Sequence, residues 1–168
     1  MLSTPGGWWV PEPEQSTFLR NAGAVLSRAR EAKLPIIHVQ HHSTEAGEVD
    51  SYGAPGWELR FPPLEGEPVK HKTVKNTFES NPGLADELRA QGVGTVLLAG
   101  VQSEMCVSAA ARAARGEGFD VVLLSGAHAT LEEEGAQGED KAGAISARVE
   151  RELAAEGVEV IAFDAAWP

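Results

Sequence analysis

The 168-residue sequence predicts an α/β fold: a Rossmann-like, three-layer α/β/α arrangement on a mostly parallel sheet. Two observations carry this. "GTVLLAG" (94–100), "FDVVLLSG" (119–126) and "VEVIAF" (158–163) are continuous apolar runs, the pattern of strands covered on both faces. Amphipathic stretches at 104–116 and about 139–156 lie between them, and alternation of this kind gives parallel pairing through crossover helices. The length fits one domain over residues 1–168.

The elements follow in chain order. "STFLRNAGAVLSRAREAK" (16–33) places Phe18, Leu19, Ala22, Val25, Leu26 and Ala29 on one face, a helical spacing. "LPIIHVQ" (34–40) is a β-branched strand opened by Pro35, where a missing N–H is tolerated. Residues 42–68 are rich in Gly, Pro, Ser and Glu, and a loop that long inside a compact domain is usually functional. "PVKHK" (68–72) is a short strand. "NPGLADELRAQG" offers Asn81 as N-cap, Pro82 at the first helical position and Gly92 just past the end of a short helix. The acidic run "LEEEGAQGED" (131–140) is a solvated loop whose carboxylates favour the start of the next helix. One irregularity stands out: strands 94–99 and 119–124 each run into a loop and a helix, whereas helix 16–33 has no strand before it.

Composition limits the function. The 42% hydrophobic and 23% charged content is that of a soluble globular chain, and no apolar run approaches the ~20 residues of a membrane span. The opening "MLSTPGGWWVPEPE" lacks the basic start and apolar stretch of a secretory signal, so the expected location is cytoplasmic. A net charge of −11 repels phosphate backbones and anionic lipid, which excludes nucleic acid and membrane surfaces and points to a small-molecule or protein partner. "GVGTVLLAG" lacks the Lys-Ser/Thr that closes a phosphate loop, and no cofactor is expected.

The single cysteine, Cys106, cannot form an intramolecular disulfide, which suits a reducing compartment. In open parallel sheets, ligands bind beyond the carboxyl ends of the strands. Cys106 lies six residues after Gly100, close to the start of helix 104–116. There the helix dipole and unpaired N–H groups favour a thiolate and can hold an oxyanion. The competing reading is a small buried residue of a helix N-terminus. "HVQHHS" contains His38, His41 and His42, but adjacent His41 and His42 point to opposite sides of an extended chain, so they are expected to face solvent or anchor the loop. Trp8, Trp9 and Trp57 lie in loop-like segments, where their rings need cover from a pocket, a partner subunit or the rest of the domain.

"AGVQSEMCV", followed by "AARAARGEGFDVVLLSGAHATL", resembles the isochorismatase-like cysteine hydrolases, the family of nicotinamidases, carbamoylsarcosine amidohydrolases and isochorismatases. "LSRAREAKLPIIHVQHHS" is similar to the family's first helix and second strand, and "VKHKTVKNTFESNPGLADEL" to its lysine segment. The resemblance implies the isochorismatase-like hydrolase fold and hydrolysis of a small C–N substrate, an amide or ureide, by a Cys, a Lys and an Asp. The Asp takes the thiol proton, the sulfur attacks the carbonyl, and water releases the acid from a thioester. Cys106 matches the nucleophile. Lys72 matches the lysine, because it precedes Phe78 by the family's six positions while Lys70 and Lys75 do not. The family's cis peptide maps onto Val101–Gln102, with the N–H groups of Gln102 and Cys106 as oxyanion donors. Trp8, Trp9, Trp57 and Phe78 are candidates for the substrate pocket. Some relatives bind metal through an Asp-x-His pair and a further His; that Asp is missing here, and no metal is expected.

The catalytic Asp has no counterpart. In the family it ends the first strand, and "MLSTPGGWW" resembles the segment just after that strand. Glu12, Glu14 and Asp50 lie elsewhere, and Glu104, two residues before Cys106, falls at a position that varies in the family. The expectation is a missing first strand, central in the family's 3-2-1-4-5-6 order, encoded upstream as an apolar run ending in Asp-x-Gln. Relatives form dimers or tetramers, so a homo-oligomer is expected, with Trp8, Trp9, Trp57 and Trp167 as contact candidates. The alternative function is a catalytically silent relative that serves as a binding or oligomeric module.

Overall fold

The computed structural model of the chain describes residues 10–45, 47–48, 50–54, 57–132 and 135–167. Trp8 and Trp9 lie outside them. In order, the elements are α1 (Glu14–Glu31), β1 (His38–His41), β2 (Val69–Lys72), α2 (Thr77–Ser80), α3 (Leu84–Ala90), β3 (Thr95–Val101), a π-helical turn (Ser103–Val107), α4 (Ser108–Gly116), β4 (Asp120–Ala129), a 3₁₀ turn (Gly138–Asp140), α5 (Ala142–Ala155) and β5 (Glu159–Ala162).

All described strand pairs are parallel, in two sheets: β1–β2, and β3–β4–β5 with β4 in the middle. The side-chain alternation of β4 sorts the helices into layers. Val121 and Leu123 pack with Leu84 and Leu88 of α3, Ala111 and Ala114 of α4, and Val149 and Leu153 of α5. Val122 and Leu124 face the other way, toward Val25 of α1 and toward Ile161, Phe163 and Trp167. Helices therefore cover both faces of β4, as its apolar run requires. The prediction that "GTVLLAG" is equally buried is corrected: all but one of the β3 residues are half-buried, and Ala99 is exposed. Among the described residues β3 is paired along one edge only, and no described strand joins it to β1, where Val39 is 41% exposed.

Local chemistry moves several boundaries. The 34–40 strand begins only at His38. Asn81 does not cap the helix after it; its side-chain amide donates to the carbonyls of His71 and Thr77. The cap is Asn76, whose side chain accepts from the Phe78 N–H and starts the extra turn α2, and α3 follows after Gly83. The acidic run behaves as its charge suggests, with Glu132 accepting from the N–H of Ala142 at the start of α5. Trp167 is engaged within the chain: its indole donates to Phe163 O and the Arg28 guanidinium lies 4.1 Å above the ring.

Strand β4 runs three residues past its predicted end. Leu98 pairs with Leu123, but Gly100 pairs with His128, so residues 124–127 bulge out of the β3 ladder, and of these Leu124 and Ser125 continue the pairing with β5. Gly126 makes the bulge possible with φ of 80°, a conformation that side chains with a Cβ rarely adopt, while its carbonyl accepts from Asn21 of α1. After the bulge, His128 and Ala129 rejoin β3 opposite Gly100 and Val101.

The long connection between β1 and β2 is anchored at its return end. The Glu67 carboxylate accepts from Arg30 Nε (2.7 Å) and a second Arg30 nitrogen (2.9 Å), from the Leu64 N–H (2.9 Å), and pairs with His38 Nε2 (2.8 Å). The Arg30 hydrogen bonds, followed by the Leu64 N–H and His38, hold this carboxyl well below the usual carboxylate range.

Candidate active site

Cys106 and Lys72 are 34 residues apart and reach each other because β2 and β3 both present their carboxyl ends to one side. At the end of β3 the Val101–Gln102 peptide is cis. The backbone then makes one wide turn, in which the Val107 N–H donates to Gln102 O five residues back (3.1 Å), before tightening into α4. Cys106 sits in that turn and not, as the sequence suggests, within an ordinary first helical turn; π-type insertions of this kind are frequent at functional sites. The turn is pinned from below by α4, whose Ala111 and Ala114 are fully buried and let the helix lie close to the sheet.

Lys72 is 4% exposed, and its ammonium donates to Cys106 Sγ at 3.0 Å and to Val74 O at 2.9 Å. It makes no ion pair with any described carboxylate. A buried ammonium needs polar partners to offset its desolvation, and the two found here are the Cys106 sulfur and the Val74 carbonyl. On the same turn Glu104 has one carboxylate oxygen buried with no hydrogen-bond partner.

The neighbouring histidines are half-buried. His41 pairs in register with Lys72, and burial, with the Lys72 ammonium adding and Asp50 opposing, pushes the His41 imidazole below its ordinary value. The Nδ1 atoms of His41 and His42 and the Nε1 atom of Trp57 are buried without hydrogen-bond partners. Among the described residues no three His, Cys, Asp or Glu side chains converge to hold a metal.

Of the pocket candidates, Trp57 and Phe78 fall within the described residues, and both rings have partners there. Trp57 stacks on His71 with ring centroids 5.8 Å apart and meets Tyr52 at 4.6 Å, while its carbonyl accepts from the buried Gln40 amide. His71 leaves β2 on the face opposite Lys72, by strand alternation. Phe78 packs into the α3–α4–α5 core, 6.4 Å from Phe119.

Sequence reading alone misses a polar chain beneath the turn. Ser103 Oγ lies 2.8 Å from His128 Nδ1 and 3.1 Å from Ser146 Oγ; His128 Nε2 lies 3.1 Å from Glu150 Oε1; and Ser108 Oγ donates to Ser103 O at 2.9 Å. The signal available was the spacing of Ser146 and Glu150, which share one helix face.

Residues 7–146 match the family described as the isochorismatase domain. The chain is 38% identical over 164 residues to a protein of Streptomyces noursei named streptothricin hydrolase, covering 95% of this chain and 64% of that one. The chain thus spans less than two thirds of that relative's length. A solved structure from Chromobacterium violaceum, assigned to the isochorismatase family, superposes with TM-score 0.81 at 29% identity over 95% of this chain and 82% of that chain. At 24% identity, the zinc complex of the pyrazinamidase of Pyrococcus horikoshii shares the fold, with TM-score 0.74 over 95% of this chain and 92% of that one. Matched from residue 7 to residue 146, through both the Lys72 strand and the Cys106 turn, the chain belongs to the isochorismatase family.

Proposed function

We propose that the chain is a hydrolase that cleaves a C–N bond of a small amide or ureide, with Cys106 as nucleophile. The observation that carries this reading is the buried Lys72 ammonium 3.0 Å from Cys106 Sγ, at the carboxyl ends of parallel strands. The thiolate attacks the carbonyl carbon, and the oxyanion accepts from the N–H groups of Gln102 and Cys106. Collapse breaks the C–N bond, the leaving nitrogen takes up the proton that the thiol gave up, and water then cleaves the thioester to the acid and free thiol. The name of the Streptomyces noursei relative supports hydrolysis of a small molecule and makes streptothricin a first substrate to try.

One observation favours a second reading, a catalytically silent binding module: no described carboxylate is hydrogen-bonded to Cys106 or Lys72, so the pair has no evident general base. The two readings separate in one experiment. The protein and its Cys106→Ser variant are incubated with streptothricin and a panel of simple amides and ureides, and ammonia or amine release is followed beside alkylation by iodoacetamide. The hydrolase reading expects release by the protein alone and rapid alkylation at pH 7. A thiol that alkylates no faster than free cysteine, with no release from any substrate, overturns it.

A further inference from the structure

The Ser103–His128–Glu150 chain has the spacing of a nucleophile, base and acid, yet Ser103 is 0% exposed, so no substrate reaches its hydroxyl. Its placement suggests a different role. Ser103 opens the wide turn that carries Cys106, and both of its polar groups are tied: the carbonyl accepts from Ser108 Oγ, and the hydroxyl meets His128 and Ser146. Hydrogen-bond chemistry sets one direction through the chain. An ionised Glu150 only accepts, so His128 carries its proton on Nε2 and its Nδ1 is an acceptor. Ser103 must then donate to Nδ1, which leaves its oxygen free to accept from Ser146. Burial favours the neutral imidazole this requires, against the opposing Glu150 charge; Glu14 of α1 lines the same cavity. The His128 side chain is 1% exposed and that of Glu150 27%, so the chain runs from the core beneath the turn to the surface of α5.

We infer that Ser103, His128 and Glu150 form a positioning network that fixes the rotation of the turn presenting Cys106 and the Gln102 N–H. The inference rests on the reading of Cys106 as the nucleophile. None of the three touches the reacting atoms; they act through the backbone of the turn. The β4 bulge is what makes the network possible, because it brings His128 back opposite Gly100, three residues before Ser103.

The test measures Cys106 itself. Second-order alkylation by iodoacetamide at pH 7 and the melting temperature are recorded for the full chain carrying His128→Leu, His128→Asn, Glu150→Leu or Glu150→Gln. Asparagine places an acceptor where Nδ1 stood, and glutamine keeps an acceptor for Nε2–H. The expected result is alkylation slowed about fivefold or more in H128L and E150L, and within about twofold of the wild type in H128N and E150Q, even where H128N melts as low as H128L. Alkylation unchanged in folded H128L and E150L overturns the network, as does equal slowing in the leucine and amide variants. If H128L does not fold, the Glu150 pair decides alone, since that side chain is partly exposed and its replacement leaves the core intact. Where a hydrolysed substrate is found, the same variants lower kcat with KM unchanged. A wild type that hydrolyses nothing, beside the expected alkylation pattern, removes the hydrolase reading and leaves the network standing.

Discussion

Replacing Ala111 by valine tests whether the close seat of α4 positions the thiol. Ala111 is 0% exposed within the cluster that joins α4 to Leu123, Val149 and Leu153, so two added methyl groups have no free space. Overpacking of this kind costs about 1–3 kcal/mol, and the lower helix propensity of valine adds about 0.5 kcal/mol. For 168 residues the entropy of unfolding near 60 °C is about 0.35 kcal/mol per degree, so a loss of about 2.5 kcal/mol lowers Tm by ~7 °C. Thermal melts followed by circular dichroism measure this, and iodoacetamide alkylation reports whether the displaced helix carries Cys106 away from Lys72. The control is Ala113→Val on the same helix. Ala113 lines an open cavity beside Phe78 and Pro82, so only the propensity loss is expected there, ~1–2 °C. An A111V protein that melts within a degree of A113V and alkylates at the wild-type rate would refute the claim that α4 is packed to its limit.

Replacing Lys72 by methionine removes the cation beside the sulfur; a thiol without such a neighbour is only about 3% ionised at pH 7, so alkylation is expected to slow by up to ~30-fold, with K72R intermediate. The depressed Glu67 carboxyl contributes stability that is fully present above its ordinary value of 4.5 and is lost as pH falls below it. Urea midpoints of wild type and E67Q should therefore differ by a constant amount from pH 7 to about 5 and draw steadily closer as pH falls below 4.5; a gap at pH 3 as wide as that at pH 7 contradicts the assignment. For His128, lowered by burial, the linkage runs in the same direction from 6.5: wild type loses stability relative to H128N as pH falls from 7.5 to 5.5. Self-association, proposed from the resemblance to oligomeric relatives, predicts a dimer or larger species in light scattering at micromolar concentration, and a monomer throughout ends that proposal.

The parts of the fold legible in the sequence were those set by periodicity. β4 and β5 declared themselves as apolar runs, and α1 and α5 as amphipathic faces, because burial on known faces leaves a repeat that can be counted. The end of β4 was not legible: Gly126 reads as a strand terminator, yet here its positive φ lets the strand bulge and resume at His128. Asn81 misled for a related reason, since a good capping residue can spend its amide on β2 and α2 carbonyls when tertiary structure offers them. Cys106 and Lys72 were legible through their resemblance to a family pattern, not through any local rule joining residues 34 apart. Ser103 and His128 lie inside the quoted family segments, but nothing in those segments joins them to each other or to Glu150; the register shift of β4 brings them together.

The Glu67 clamp has a consequence for how this protein can change. It ties the return limb of the 42–68 connection to α1 and β1, just before the chain enters β2 at Val69, the strand that ends in Lys72. Near the other end, Ser43 bridges Ser51 and the Ser43 N–H donates to Asp50 O, closing the outgoing limb on itself. Between these ties Trp57 also meets the framework: its carbonyl accepts from Gln40 of β1 and its ring stacks on His71 of β2, the residue before Lys72. The clamp holds the entry to β2 and Trp57 covers one of its faces, so a change in the loop that displaces Trp57 acts directly on the strand that carries the cation.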